Sequence, residues 1–470
     1  MGNEELRLSE SLIDRGQFGN PYFRFTIVFA FILVSLTTFP IWASFAIPHT
    51  VAAVNVCIVL FFSFVWLWIA FNAVRNMSRM HALPTMPLEC LSASRQRKFR
   101  HIVIVPCYID PIPVLFDCLG SLLGQADVSE LLVVVAFEKK TPDLEIKMKA
   151  VNEAFKGRFG HFLITVHTID KASEIAGGCS NKNYALREAY KYVKTQCPED
   201  MAMAHTVTTC DTDSLFHPNY FEVLKHMYNY SNPVLGAEPK MLVWQPPLFY
   251  NWDLDERPFF NRITGLMRSM MMLGGLISFN LNPMSIFSYP MELGKKAGFI
   301  NPRYGVDDII AKVRWMCATN EMVPVTLLPV PVISGPTIGV TLWQEGTEWG
   351  RQIRRWIVGS SESFHYFIIH WRGKPMMAGD EHYSMFQYNV PAGYVTVLCL
   401  TLRATLVLYV FYVLRSAAVL CRSLLCARRH PVALGVLPLC VPGGARRVSI
   451  NGRTDGAGIA VCCLRCRFFY

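Results

Sequence analysis

A chain of 470 residues with 52% apolar and only 17% charged side chains has room for two or three domains and is too apolar to read as wholly soluble. Its formal charge of +10 does not describe a nucleic-acid surface, because residues 421–470 carry eight Arg against one acid, Asp455. That excess of +7 within the total leaves about +3 for the rest of the chain. The 15 Cys lack the even spacing of a secreted disulfide framework and fit a reducing compartment. Cys462, Cys463 and Cys466 crowd together without a His or a second cluster at zinc-site spacing, so no metal site is assigned to them.

Residues 1–24 form a polar leading segment, and two uncharged runs follow, 25–47 and 51–74. Each is long enough for a helix to cross roughly 30 Å of hydrocarbon. With only Pro48, His49 and Thr50 between them, they predict an antiparallel transmembrane hairpin, and their length argues against a cleavable signal peptide. Arg15 and Arg24 precede the hairpin, and Arg75, Arg79, Arg95, Arg97, Lys98 and Arg100 follow it, which places both flanks in the cytosol. Whether the membrane is the plasma membrane or an endomembrane is open, and no retrieval signal ends the chain.

From residue 101 the texture changes to short β-branched runs separated by helical patterns. Residues 101–108, 130–138, 161–169 and 204–211 read as strands, and 113–125, 143–155 and 181–196 as helices. The expected fold class is therefore α/β, with a mostly parallel sheet covered on both faces. Ligands of such sheets bind at the carboxyl ends of the strands.

TCDTD, at the end of the fourth strand, places Asp211 and Asp213 two residues apart, on one side of an extended chain. Two hard carboxylates so placed suit Mg²⁺ or Mn²⁺ bridging a diphosphate. In GVDDIIAKVRW, Asp307 and Asp308 open a helix; acids there complement its dipole, and near a sugar donor one of them can act as general base. Residues 346–372 contain an amphipathic helix with Trp349, Ile353, Trp356 and Ile357 on one side and Arg351, Arg354 and Arg355 around the other. It reads as an interfacial membrane helix, or as one whose Gln352, Arg355 and Trp356 meet phosphate and a sugar or base. A third apolar run, 391–414, carries Arg403 and is expected to span. Residues 421–470, without Lys and with six of the Cys, read as a disordered tail or a translated intron or shifted frame.

VIVPCYIDP, SNKNYAL, TCDTDSLFHPNYF, NPMSIFSYP, GFINPRYGVDDIIAKVRW and RQIRRWIVG, in this order, resemble the family 2 glycosyltransferases, and in particular uncharacterised membrane proteins of that kind. The resemblance covers roughly 101–370. It implies a GT-A catalytic domain over 101–345, a Rossmann-like nucleotide-diphospho-sugar transferase with transmembrane helices on either side. It assigns Asp211 and Asp213 to the metal, Asp308 to the base with Asp307 beside it, and Gln352, Arg355 and Trp356 to the family's Gln-x-x-Arg-Trp element. Pro106, Tyr108, Asp110 and Lys182 would surround the nucleotide and its phosphates. Two departures stand out: the turn after the second strand offers Glu138 alone for nucleobase contact, and Val306, Asp307 and Asp308 replace the usual Thr-Glu-Asp.

The expectation is thus an integral membrane enzyme that transfers a sugar, with inversion, from a nucleotide-diphosphate sugar such as a UDP-hexose. The acceptor is a lipid or a growing glycan at the cytosolic membrane face. Nucleic acid is not a partner, and homo-oligomerisation is left open. A polymerising synthase and a single-transfer enzyme are both compatible with these residues. The competing reading is an inactive scaffold of the same fold, against which stand the three acids Asp211, Asp213 and Asp308.

Overall fold

The structure is a computed structural model. It describes residues 47–82, 97–170, 174–234, 237–250, 259–302, 304–319, 321–335 and 343–348, with a few isolated positions besides. Apart from such positions, the expected span 25–47 lies outside the described residues, as do 352–470, which include the run 391–414 and the tail.

The four runs read as strands are β1 (Phe99–Cys107), β2 (Leu131–Glu138), β3 (His161–His167) and β4 (Ala204–Thr209). They pair in parallel in the order β3-β2-β1-β4. Three further strands that the sequence pattern did not expose extend the sheet: β8 (Phe287–Pro290), antiparallel to β4, then β6 (Val243–Gln245) and β9 (Val325–Leu327). A mixed, mainly parallel sheet results.

The β-branched runs form strands because both of their faces are buried. Val103, Val105, Val133 and Val135 pack on one side against α2 (Ile112–Leu123), α3 (Leu144–Phe155) and α5 (Tyr220–Ser231). Their neighbours Ile102, Ile104, Leu132 and Val134 pack on the other against α4 (Gly178–Gln196), α7 (Met291–Lys296) and α8 (Asp307–Thr319). Each fully buried side chain of this kind contributes about 1.5–3 kcal/mol, so alternation of two apolar faces fixes the register. A second, three-stranded sheet, in the order β5 (Leu215–Phe216), β10 (Val332–Ile333) and β7 (Leu248–Phe249), lies beyond the end of β4.

Strand order reverses between β1 and β4: the chain leaves β1 toward β2 and β3, then returns to the other side of β1. The crevice at the carboxyl ends of these two strands is the place where open α/β sheets bind ligands.

The run 51–74 belongs to one long helix, α1 (Pro48–Ala82), of 35 residues and about 50 Å. Pro48, His49 and Thr50 begin this helix instead of forming a separate connection, since proline is at ease in a first helical turn. Among the described residues no helix is long and apolar enough to cross a membrane. One face of α1 nonetheless exposes Leu60, Phe64, Leu67, Phe71 and Val74, a stripe at alternating spacings of four and three. Its other face buries Ile69, Asn72, Ala73 and Asn76. There it meets α6 (Phe259–Met271) and the π-helical turn Met272–Leu276 that continues α6. Contact is close enough that a Cβ on Gly274 would lie 1.9 Å from the Ile69 carbonyl oxygen. Asn76 adds a side-chain hydrogen bond to the Leu273 carbonyl at 2.7 Å.

Candidate active site

The parallel pairing of β1 with β4 sets Ile104 beside Thr209, so the segments beginning at Pro106 and Asp211 leave the sheet side by side. Thr212 ties them together. Its hydroxyl donates to the Pro106 carbonyl at 2.5 Å and lies 3.1 Å from Asp110 Oδ2, which also accepts the Tyr108 N–H at 3.3 Å. Lys147 of α3 holds the same loop from the other side, donating to the carbonyls of Tyr108 and Asp110 at 3.1 and 2.8 Å. Pro106, Tyr108 and Asp110 are thereby fixed at the mouth of the crevice. Glu138 ends β2 beside them; burial raises its pKa, and the neighbouring His167 and Lys140 oppose that shift.

Asp211 and Asp213 do not sit on an extended chain, as their spacing had suggested. The segment turns: Ser214 Oγ accepts the Asp211 N–H at 3.1 Å, and the Ser214 N–H returns to the Asp211 carbonyl. Asp211 remains 46% exposed, whereas Asp213 is tucked under the small sheet. Ser334, just past β10, donates to Asp213 Oδ1 at 3.4 Å, and a Cβ on Gly335 would fall 2.7 Å from Asp213 Oδ2. Burial, then the charge of Asp211, pushes the Asp213 carboxyl up to about 7. The Asp211 charge thus opposes ionisation of Asp213, a conflict that a bound cation would relieve.

Lys182, in the first turns of α4, is 4% exposed and connects the pair to the next element. Its ammonium donates to Asp307 Oδ2 at 2.8 Å and to Asp211 Oδ1 at 3.5 Å. Burial disfavours its charge, but Asp307 and Asp211 outweigh that cost and hold its pKa above the ordinary lysine value. Asp307 and Asp308 do open a helix, α8, and they divide there: Asp307 faces Lys182, while Asp308 Oδ2 accepts the Ser285 N–H at 3.3 Å. Ser285 adopts a positive φ of 51° immediately before β8, which directs its N–H to that carboxylate.

Asp110, Lys182, Asp211, Asp213, Asp307 and Asp308 thus belong to one neighbourhood drawn from four parts of the chain. Gln352, Arg355 and Trp356 lie outside the described residues; the backbone is helical over 343–348, shortly before them. Sequence reasoning did not single out Thr212, Lys147, Ser285, Ser334 or Gly335. Only Thr212 carried a signal, as the residue between the two acids. An oxygen-only, acidic donor set fits Mg²⁺ or Mn²⁺ and does not suit a softer ion.

No family model matches the chain, and no curated protein does. Solved structures with some likeness are glycosyltransferases. One is the mannosyltransferase PcManGT from Pyrobaculum calidifontis in complex with GDP-Man and Mn²⁺, at 14% identity over 77% of this chain and 93% of that one, with a TM-score of 0.40. Another is residues 1–349 of S. aureus TarS in complex with UDP, at 12% identity over 63% and 70% of the two chains, with a TM-score of 0.36. A third, GalNAc-T7 with UDP, GalNAc and Mn²⁺, shares 10% identity over 50% and 43%, with a TM-score of 0.31.

Proposed function

We propose that this chain is a metal-dependent, inverting glycosyltransferase of the family 2 type. It would take a nucleotide-diphosphate sugar, with a UDP-hexose as the first donor to try, and transfer the sugar to a lipid or glycan at the cytosolic face of a membrane. One observation carries the reading: Lys182 gathers Asp211 and Asp307 at the carboxyl ends of β1 and β4, beside Asp213 and Asp308.

Asp211 and Asp213 would hold Mg²⁺ or Mn²⁺, which supplies positive charge to the diphosphate leaving group when bound. Lys182 adds a fixed ammonium at the same place and is kept charged by its two carboxylates. Asp110, Tyr108, Pro106 and Glu138 would border the nucleotide. Arg355 would fork to phosphate, and Trp356 and Gln352 would face the sugar chain.

Asp308 is the better base of the helix pair. Asp307 is committed to Lys182 at 2.8 Å, while Asp308, to which the family resemblance gives the base role, accepts the Ser285 N–H at 3.3 Å, a hydrogen bond that orients it. It would take the proton of the acceptor hydroxyl as that oxygen attacks the anomeric carbon from the face opposite the diphosphate. One base and no carboxylate nucleophile give inversion.

Membrane attachment rests on the uncharged runs 25–47 and 51–74 and the apolar run 391–414, and is supported by the exposed stripe Leu60, Phe64, Leu67, Phe71 and Val74. The test is nucleoside diphosphate release from a donor panel by the full chain in nanodiscs with Mn²⁺. Release that vanishes in Asp211→Ala/Asp213→Ala and falls by about 10³-fold or more in Asp308→Asn supports the proposal. A folded chain that turns over no donor with any acceptor offered would instead support a scaffold.

A further inference from the structure

The amino-terminal edge of the sheet, opposite the carboxylate site, brings together three side chains of different chemistry. His161 begins β3, Cys197 follows the last turn of α4, and Asp200 lies in the short 3₁₀ helix Pro198–Ala202 that leads into β4. One ligand atom from each falls within 4.8 Å of the others. Cys197 Sγ is 3.7 Å from each ring nitrogen of His161, and His161 Nε2 is 3.6 Å from Asp200 Oδ2.

We propose that His161 Nε2, Cys197 Sγ and an Asp200 carboxylate oxygen form a binding site for Zn²⁺ or a similar borderline divalent ion, distinct from the hard-cation site of Asp211 and Asp213. Zinc bonds of about 2.3 Å to sulfur and about 2.0–2.1 Å to nitrogen and oxygen give tetrahedral edges of about 3.6 Å for S···N and about 3.3 Å for N···O. The S···N and N···O separations present, 3.7 and 3.6 Å, are within a few tenths of an ångström of those edges; because Sγ is equally far from both ring nitrogens, the His161 ring must turn to aim Nε2 at an ion held by Sγ.

The surroundings orient each ligand. Tyr192 Oη lies 3.3 Å from His161 Nδ1 and can accept a hydrogen bond from Nδ1–H in the tautomer that leaves Nε2 for the metal. Arg100 donates from Nε to Asp200 Oδ2 at 2.7 Å and from Nη1 to the Ser129 carbonyl at 2.6 Å, which fixes the carboxylate and leaves its remaining lone pairs available. Gly160 makes room for that guanidinium, since a Cβ there would sit 2.9 Å from Arg100 Nη1 and 1.9 Å from the Ser129 oxygen. Thiolate, carboxylate and guanidinium leave one net negative charge to meet the dication. His161 is 24% exposed, which gives an entry path and a water as fourth ligand.

Burial, then Asp200 and Glu199, raises the Cys197 pKa, and binding of the ion as thiolate would release the thiol proton to solvent. The ion would staple the end of α4 to the start of β3 and the approach to β4. Lys182 lies in the first turns of that same helix.

The test uses the full chain in detergent, stripped with a chelator, and carrying Cys462→Ser, Cys463→Ser and Cys466→Ser to silence the terminal cysteines. Titration with Co²⁺ should produce a thiolate-to-cobalt charge-transfer band that saturates at one equivalent and is displaced by Zn²⁺. The band should persist in Asp211→Ala/Asp213→Ala, and Cys197→Ser or His161→Ala should abolish it or weaken Co²⁺ binding at least about 10-fold. In the Zn²⁺-loaded chain, X-ray absorption should place one sulfur at about 2.3 Å, a readout that needs no further substitution. Absence of the band, its survival in Cys197→Ser, or a zinc shell of nitrogen and oxygen alone would overturn the proposal and leave Cys197 and His161 as hydrogen-bonded neighbours.

Discussion

Lys182 and Asp307 form a 2.8 Å ion pair that joins the start of α4 to the start of α8, and the lysine is almost fully withdrawn from water. Removing one member of such a pair leaves the other buried and uncompensated, whereas removing both charges costs less. Lys182→Met should therefore destabilise the chain by about 3 kcal/mol and reduce donor turnover by at least about 10²-fold. Lys182→Met/Asp307→Asn should regain most of the stability and none of the turnover. Thermal melting and nucleoside diphosphate release on the four chains of this cycle separate the two effects.

Gly335 touches Asp213 so closely that any side chain must displace the carboxylate. Gly335→Ala should cost about 1–3 kcal/mol, as overpacked sites do, and should weaken Mn²⁺ binding about 10-fold or more while leaving the sheet intact. Manganese titration followed by electron paramagnetic resonance measures the free ion directly. Unchanged affinity would separate Asp213 from the metal.

Much of this neighbourhood is legible before folding, and the legible part has a common physical source. β1 to β4 announce themselves because β-branched or other apolar residues dominate six to nine positions, and such a run ending in polar residues marks a strand's carboxyl end. That is why Asp211 could be located from the residues alone, whereas Asp110 and Glu138 were placed by the family resemblance. β5, β7 and β10 have two residues each, too few for any period, so the contacts of Asp213 with Ser334 and Gly335 could not be foreseen. The turn of Asp211 and Asp213 was hidden for a related reason: it is fixed by Ser214 locally and by Pro106, 106 residues away, through Thr212. Likewise α1 runs past the uncharged stretch to Ala82, where Asn76 donates to Leu273 and Ser278 at and after the turn that continues α6, contacts distant in sequence.

His101 lies in β1 with its ring wholly buried, its Nδ1 2.6 Å from Thr206 Oγ1 and its faces against Phe99 and Phe221. Burial, followed by the charges of Lys225, Arg100 and His205, lowers its pKa to about 3. The unfolded chain, with an ordinary value of about 6.5, takes up this proton first on acidification. Stability from this residue is therefore complete above pH ~6.5 and is lost as pH falls from there toward 3, by up to about 4 kcal/mol. Melting midpoints of the native chain should drop more steeply between pH 6.5 and 4 than those of His101→Phe. Parallel profiles would mean that the ring takes up its proton as readily in the folded chain as in the unfolded one.

Thr212 holds the loops after β1 and β4 together, through the Pro106 carbonyl and Asp110. Neither acceptor is a metal ligand in the proposed arrangement, so the hydroxyl serves position and not charge. Thr212→Val keeps the shape and removes both bonds, leaving the Pro106 carbonyl without its donor, at a cost of about 1–3 kcal/mol. If the crevice binds the nucleotide, the loosened β1 loop should raise KM for the donor about 10-fold and change kcat much less, since Lys182, Asp211 and Asp308 keep their places. Thr212→Ser retains the hydroxyl and should restore KM. A loss confined to kcat would instead mean that Thr212 acts through the carboxylates on either side of it, and that the two loops are coupled to the chemical step and not to donor binding alone.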